Sequence, residues 1–478
     1  MLRTTIAAGA LALAFAAPAW ASECAGGTCS IDAAPSSREV QTAVDAYLAS
    51  AKADASLVGG AGSAGYDGGF WIRGGSFLMK INLTLQTRWE WFDWDDTEME
   101  PSPGGDLSGF SLPRATLKFS GDATCAVHYY AELEFGHAGS MFGVNSPSED
   151  GPFQNWQSQL YILGNPGADE SILGEDSSGL FGLLREGWIE WDACPQASFR
   201  MGLVKTAATR QLMTAPEMQQ FVDISLATAT LGQMMPGYSD RNRDYGFMVH
   251  GALGCDHEWQ YMVTVTNGDG PVHRNVLDGT TSDNFAYSAR VNWDVKGHLG
   301  YEEGALHSTE CAWALSIGAW AHYYADAEQH RPFAKFADRA AYGVDAAFTW
   351  GGLSATAAYS MTSWELGDDN GGGNLDGDFI LVQVGYLFPG TAWEVAGRWS
   401  STHLEGDGGS NNEQTVTEFG AAVTYYIDGH ADKVTLDVAF ISPDEDLPGN
   451  IFSDVYAGYN ASGSSDAMLV RLQWQLAL

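Results

Sequence analysis

From Phe77 to the final residue, Leu478, apolar and polar side chains alternate along one segment after another. This two-residue rhythm restricts what the chain can fold into more than any other property. In the first segment Met79, Ile81, Leu83, Leu85, Trp89 and Trp91 share one face, while Lys80, Asn82, Thr84, Gln86, Arg88 and Glu90 share the other. A period of two is that of a β-strand with unlike faces. Val127, Tyr129, Ala131, Leu133 and Phe135 repeat it against His128, Tyr130, Glu132 and Glu134, and Val470, Leu472, Trp474, Leu476 and Leu478 repeat it against Arg471, Gln473 and Gln475. Faces of this kind suit lipid on one side and water on the other, and the segments have the length a tilted strand needs to cross a bilayer.

The segments predict strands at 77–91, 110–120, 126–136, 184–193, 197–206, 243–253, 258–267, 284–294, 312–325, 338–350, 353–364, 377–388, 391–402, 414–427, 432–442 and 465–478. They make an even set of sixteen, as an up-and-down barrel with both ends on one side requires. The expected fold is all-β, a transmembrane antiparallel barrel. Gly351-Gly352, Pro389-Gly390 and Asp428-Gly429 read as tight turns, whereas 92–109, 137–183, 207–242 and 443–464 read as long loops on the opposite rim. Trp191, Trp259, Trp293, Trp313, Trp350 and Trp393 then fall near the turn side, and Trp89, Trp91, Tyr323, Trp364 and Trp399 near the loop side. Two aromatic girdles at headgroup depth are the expectation.

Ahead of the barrel, Arg3 is followed by an uncharged run from Thr4 to Ala17 and then by Ala19-Trp20-Ala21, the pattern of a signal-peptidase site. Residues 1–21 therefore read as a secretory signal, and 22–69 as a periplasmic segment with a helix over 36–52 and a Gly-rich linker over 59–69. The barrel takes 70–478. Gly60, Gly62 and Gly65 match dinucleotide-fingerprint spacing by accident, since no helix follows them. A formal net charge of −37 argues against nucleic acid as a partner, because phosphate backbones call for a basic surface.

Six cysteines in an exported chain suggest disulfides. Cys24 and Cys29 flank a flexible spacer. Cys125, Cys194, Cys255 and Cys311 lie at proposed periplasmic turns, with Cys125–Cys194 the favoured pair because neighbouring strands bring them within reach. Two external stretches are crowded with acids, Asp93, Asp95, Asp96, Glu98 and Glu100 in one and Asp368, Asp369, Asn370, Asp376 and Asp378 in the other. Such density could hold Ca²⁺, although it completes no calcium loop and reads first as solvated loop tips. No other metal or cofactor is expected.

On the water-facing phase, Lys80, Arg88, Arg114, Lys118 and Arg471 form a basic stripe and are the candidates for anion selectivity. Glu132, Glu134, Glu186 and Glu190 make the adjoining wall acidic. Charges lining a pore decide which ions enter, although lumen positions are polar by default. Arg210, Arg241 and Arg243 belong with Met234, Met235 and Phe221 to a loop too apolar for free solvation. It reads either as a constriction folded into the lumen or as an external cap. Neither Gly-x-Ser-x-Gly nor His-Glu-x-x-His occurs in a convincing context, and His128, His250 and His322 fall on the lumen phase, so an enzyme is not expected.

Several short stretches, taken in order, resemble the phosphate-selective porin O and P family of Gram-negative outer membranes. They are Phe70-Trp71-Ile72-Arg73, Pro113 to Gly121, Met201 to Lys205, Gln220-Phe221-Val222-Asp223, Arg243-Asp244-Tyr245-Gly246 leading to His250-Gly251, and Thr266 to Gly270. The resemblance spans residues 70–478. It implies a sixteen-stranded homotrimer whose lumen is narrowed by inward-folded loops and, in anion-selective members, lined by arginines with lysine. The expected function is passive passage of small ions and polar solutes through the outer membrane, with phosphate or another anion as the preferred cargo. The alternatives are a cation-preferring general porin and a structural barrel tethered to periplasmic partners through the helix 36–52.

Overall fold

The computed structural model describes residues 62–94, 107–135, 184–194, 196–235, 242–254, 256–268, 285–306, 312–324, 336–366, 373–406, 412–444 and 466–478. Two short strands come first, β1 (Gly62–Tyr66) and β2 (Phe70–Gly74). The wall then runs through β3 (Phe77–Trp94), β4 (Leu107–Thr124), β5 (Val127–Glu134), β6 (Leu184–Cys194), β7 (Ala197–Lys205), β8 (Arg243–Leu253), β9 (Trp259–Thr266) and β10 (Ala286–Lys296). It is completed by β11 (Ala314–Tyr324), β12 (Phe336–Trp350), β13 (Leu353–Leu366), β14 (Gly373–Leu387), β15 (Trp393–Gly406), β16 (Asn412–Asp428), β17 (Asp432–Pro443) and β18 (Ala467–Ala477).

Strands β3 to β18 form a closed antiparallel barrel of sixteen strands, each paired with its neighbours in sequence. The last strand closes on the first, with Arg471 opposite Glu90, Gln473 opposite Arg88 and Gln475 opposite Gln86. Leu478 and Leu83 exchange both backbone hydrogen bonds, at 2.8 and 3.2 Å, so the chain's final residue completes the seam. Closure satisfies the backbone groups that an open edge would expose to lipid. At the Gly351-Gly352 turn both residues have positive φ, 55° and 90°, the backbone a two-residue hairpin needs and one that side chains with a Cβ disfavour.

The alternation has the expected sense. Outward residues such as Val344, Phe419, Leu436, Phe440 and Trp474 are exposed, while Gln86, Arg88, Thr402, Glu418, Asp437 and Gln475 are buried inside. This is the reverse of a soluble protein, and among the described residues no helix is long and apolar enough to cross a membrane. All six turn-side tryptophans are exposed, and Trp259 stacks on Trp293 at 5.3 Å, so the turn-side girdle exists.

Three expectations are corrected. Residues 62–66, taken as part of a linker, pair in register with 70–74, and β2 in turn pairs with β3. The hairpin lies beside the turn-side end of β3, where Phe70–Gly74 pair with Phe77–Ile81. Trp364, assigned to the loop-side girdle, points inward, is buried, and donates through Nε1 to the Met234 carbonyl at 2.8 Å. Its position is on the lumen phase, which overrides the girdle preference. Cys125 and Cys194 carry free thiols, so the disulfide expected between them is not formed. The β5–β6 ladder ends at Val127 opposite Trp191, leaving Cys125 in an exposed turn outside it, while Cys194 pairs with Ala197. The signal segment, the helix 36–52, Cys24, Cys29, Cys255, Cys311 and Arg241 lie outside the described residues. So does most of the two acidic stretches, and among the described residues no group of His, Cys, Asp or Glu side chains could hold a metal ion.

Candidate functional site: a loop folded across the lumen

The segment joining β7 to β8 turns into the barrel. It contains α1 (Arg210–Met213), a 3-10 turn at Pro216–Met218 and α2 (Leu226–Met234). Ser225 caps α2, its hydroxyl accepting from the Thr228 N–H at 3.1 Å, and the next free N–H, that of Leu226, donates to Glu418 on the wall at 2.7 Å. Apolar burial holds the helical part: Leu212, Leu226, Leu231, Met234 and Met235 pack with Trp320, Trp364, Leu375, Phe379 and Leu404 from the lumen face. The loop's apolar composition is thereby explained, because this sector of the lumen is itself apolar. Gly385 is part of the fit, since a Cβ there would overlap the Gln220 amide.

Beyond the 3-10 turn the loop meets the basic wall. Asp223 accepts from Arg88 Nη1 at 2.8 Å and from Arg114 Nη2 at 3.1 Å, with Arg471 Nη1 at 3.5 Å. Arg398 donates to the Asp223 carbonyl at 2.8 Å, and the Val222 N–H donates to Asp437 at 3.1 Å. Each of three arginines has a carboxylate on the wall as well: Arg88 pairs with Glu90 at 3.0 Å, Arg471 with Asp437 at 2.7 Å, and Arg398 with Glu418. Four guanidinium groups therefore face four carboxylates, Glu90, Glu418, Asp437 and Asp223. Burial by itself would raise the Asp223 carboxyl, but Arg88, Arg114 and Arg471 outweigh it and hold the group well below the usual carboxylate range.

The other wall is ordered by pairs of the same type. Arg185 bridges Glu132 at 3.0 Å and Glu134 at 3.6 Å; Arg243 Nε donates to Glu186 at 3.1 Å. Glu190 accepts from Arg200 at 2.7 Å and lies 2.7 Å from His250 Nε2. The Arg200 guanidinium also sits 3.7 Å above the Trp188 ring, whose other neighbour is the stacked ring of Tyr130 at 5.5 Å. Lys118 reaches across to Glu217 on the loop. Burial pushes the Glu217 carboxyl up, yet Lys118 and hydrogen bonds bring it below its ordinary value.

Exposure locates the passage. Lumen residues of β10, β11 and β14 to β18 are buried almost without interruption, whereas Lys118, Tyr130, Glu134, Trp188, Arg200 and His250 on the β4–β8 side are half-buried, as are Met213, Glu217 and Asp223 on the facing edge of the loop. The half-buried groups thus lie where the loop faces this wall, and charges of both signs are among them.

A second segment enters from the turn rim. Residues 298–306, between β10 and β11, bring buried Glu303 against the loop, where its carboxylate accepts from Gln211 Nε2, the Gln220 N–H and Gln383 Nε2, each at 3.0 Å. Its own N–H donates to the Met218 carbonyl at 2.9 Å. The loop is held from the side by the wall and from below by this turn.

The sequence-derived candidates separate accordingly. Arg88, Arg114 and Arg471 converge, and Lys118 lies beside them on Glu217; Lys80 is exposed near the turn rim and joins neither. Glu132, Glu134, Glu186 and Glu190 lie on the neighbouring strands β5 and β6, and three arginines pair with them, Arg185 serving both Glu132 and Glu134. Arg243 pairs with Glu186, while Arg210 is buried beside Asp345, to which its N–H donates at 2.9 Å, so neither projects free charge into the passage. His128 lies between Asp122 and Asp192, and His322 is buried. Asp223, Glu217, Arg398, Glu418, Asp437, Arg185, Arg200 and Glu303 were not singled out by sequence. The wall residues among them sit on the polar phase and could have been found by it; those in the loop and turn carry no periodic signal.

Comparison with known proteins gives fold but not family. No protein-family model matches the sequence, and no curated protein does. Among solved structures, an anion-selective porin from Comamonas acidovorans matches with a TM-score of 0.51 and 10% identity, covering 84% of this chain and 99% of that one. OprB from Pseudomonas putida matches with a TM-score of 0.50 and 9% identity, covering 83% and 94%. The structural neighbours are bacterial outer-membrane porins. A sixteen-stranded barrel with an apolar exterior and polar lumen is built for that membrane.

Proposed function

We propose that the chain is a passive diffusion channel for small hydrophilic solutes and ions, narrowed by the β7–β8 loop. The observation that carries this reading is the band of half-buried, charged side chains where that loop faces the β4–β8 wall, in contrast to the buried lumen residues of β10, β11 and β14 to β18. A purely structural barrel has no use for an inward loop docked on one side and wet on the other. Export after removal of residues 1–21, as their signal pattern implies, and assembly as a homotrimer, as the family resemblance implies, complete the proposal.

The selectivity named for the Comamonas porin does not carry over simply. Fixed charge biases ion entry only where it is uncompensated, and here Arg88, Arg114, Arg471 and Arg398 are matched by carboxylates. Weak selectivity between small anions and cations is the expected property, with phosphate passing as one solute among others. Purified protein inserted into a planar bilayer should give discrete conductance steps and a zero-current potential near zero in a potassium chloride gradient. A folded barrel that inserts without conducting would reject the channel reading in favour of a structural one.

A further inference from the structure

We propose that Asp223 is a tethered counter-ion occupying an oxyanion site built by Arg88, Arg114 and Arg471, and that its charge keeps the channel from preferring anions such as phosphate. The inference rests on the channel reading above. Its basis is the way the three guanidinium groups are aimed. Arg88 and Arg471 approach one carboxylate oxygen at 2.8 and 3.5 Å, and Arg114 approaches the other at 3.1 Å. A phosphate or similar oxyanion offers acceptor oxygens to the same donors in the same fork geometry. In this chain the acceptor comes from the loop instead of from solution.

Position and charge balance give Asp223 this role in preference to its neighbours. The Arg88, Arg114 and Arg471 side chains are 1%, 9% and 4% exposed, whereas that of Asp223 is 20% exposed, so it stands between the cluster and the passage. Glu90 and Asp437 already serve Arg88 and Arg471 from the wall. Arg114 pairs with Asp223 and with the neutral Gln86, at 2.6 Å. Loss of the Asp223 charge therefore leaves one guanidinium in excess beside the water path. The loop keeps other holds on the wall, because Arg88 and Arg398 donate to the Val222 and Asp223 carbonyls and the Val222 N–H donates to Asp437.

Three channels measured side by side in planar bilayers test this: wild type, Asp223→Asn and Asp223→Ala. In a potassium chloride gradient Asp223→Asn should raise the chloride-over-potassium permeability ratio by about threefold, the scale of one unit charge a few ångströms from an ion path. Millimolar inorganic phosphate should reduce the chloride current through Asp223→Ala and leave the wild-type current unchanged. The charge-balanced double variant Asp223→Asn with Arg114→Gln should return to wild-type selectivity. Conducting variants with the wild-type zero-current potential and no phosphate effect would overturn the inference. Should both Asp223 variants fail to insert, Arg114→Gln alone decides, since an uncompensated Asp223 must shift the preference toward potassium and an unmoved potential rejects the proposal. A wild-type barrel that does not conduct overturns the channel reading, and this inference with it.

Discussion

At the scale of single residues, the lumen is governed by pairing. Arg471 illustrates the cost of burial: its Nε and Nη2 donate to the two oxygens of Asp437 at 2.8 and 2.7 Å, and both side chains are almost wholly covered. Removing one member of such a pair strands the other, at a cost of ~3–5 kcal/mol. Asp437→Asn should accordingly lower the unfolding midpoint of the detergent-solubilised barrel, followed by heat-modified gel migration. A change at an exposed position such as Glu405→Gln should leave that midpoint within error. The polar phase of the alternation identified Arg471 as a lumen residue, whereas Asp437, on the same phase of its own strand, was not singled out. Their partnership follows from β17 and β18 lying side by side in register, Asp437 opposite Arg471.

At the scale of elements, the β7–β8 loop is the unit that makes a wide barrel narrow. Its anchor is apolar, with Leu231 and Met234 of α2 buried against Trp364, Phe379 and Leu404. A leucine-to-alanine change in such a cluster costs ~2–5 kcal/mol. Leu231→Ala should loosen the loop without opening the barrel, giving noisier single-channel currents and new protease cleavage within 210–234 while the unheated gel mobility is kept. Unchanged noise and cleavage would show that the polar contacts alone hold the loop. The strands were legible at this scale nearly residue by residue, because each carries its own period and its own turn signals. The loop's inward course was one of two readings, since an apolar loop fits a lumen or an external cap equally well until a complementary surface is known. The β1–β2 hairpin was missed because glycine-rich strands lack the alternation that marks the others.

At the scale of the whole molecule, the loop docks on β3, β4 and β18, around the seam, through ionised groups. Asp223 and Glu217 both hold their carboxyls below the ordinary range. A depressed folded-state value means that the stabilisation is fully present above the unfolded value, about 4 for such groups, and is lost as pH falls through the folded value. Loop docking should therefore be constant from pH 8 down to about 4 and weaken below it. Single-channel conductance and noise recorded across that range check this, and a transition between pH 6 and 7 would assign the docking to other groups.

The sequence by itself determined that this chain is a sixteen-stranded membrane barrel, which face of each strand meets lipid, and which rim bears the long loops. Those properties are periodic and local, so they are written within a few residues of wherever they act. Only the tertiary structure decided that the arginines of the first, second and last wall strands converge on one aspartate of a distant loop, and that Glu303 supports this loop from the opposite rim. Charge compensation depends on distances between residues far apart along the chain, and no local pattern encodes them. The same −37 that argues against a nucleic-acid partner says nothing about which carboxylates meet which cations.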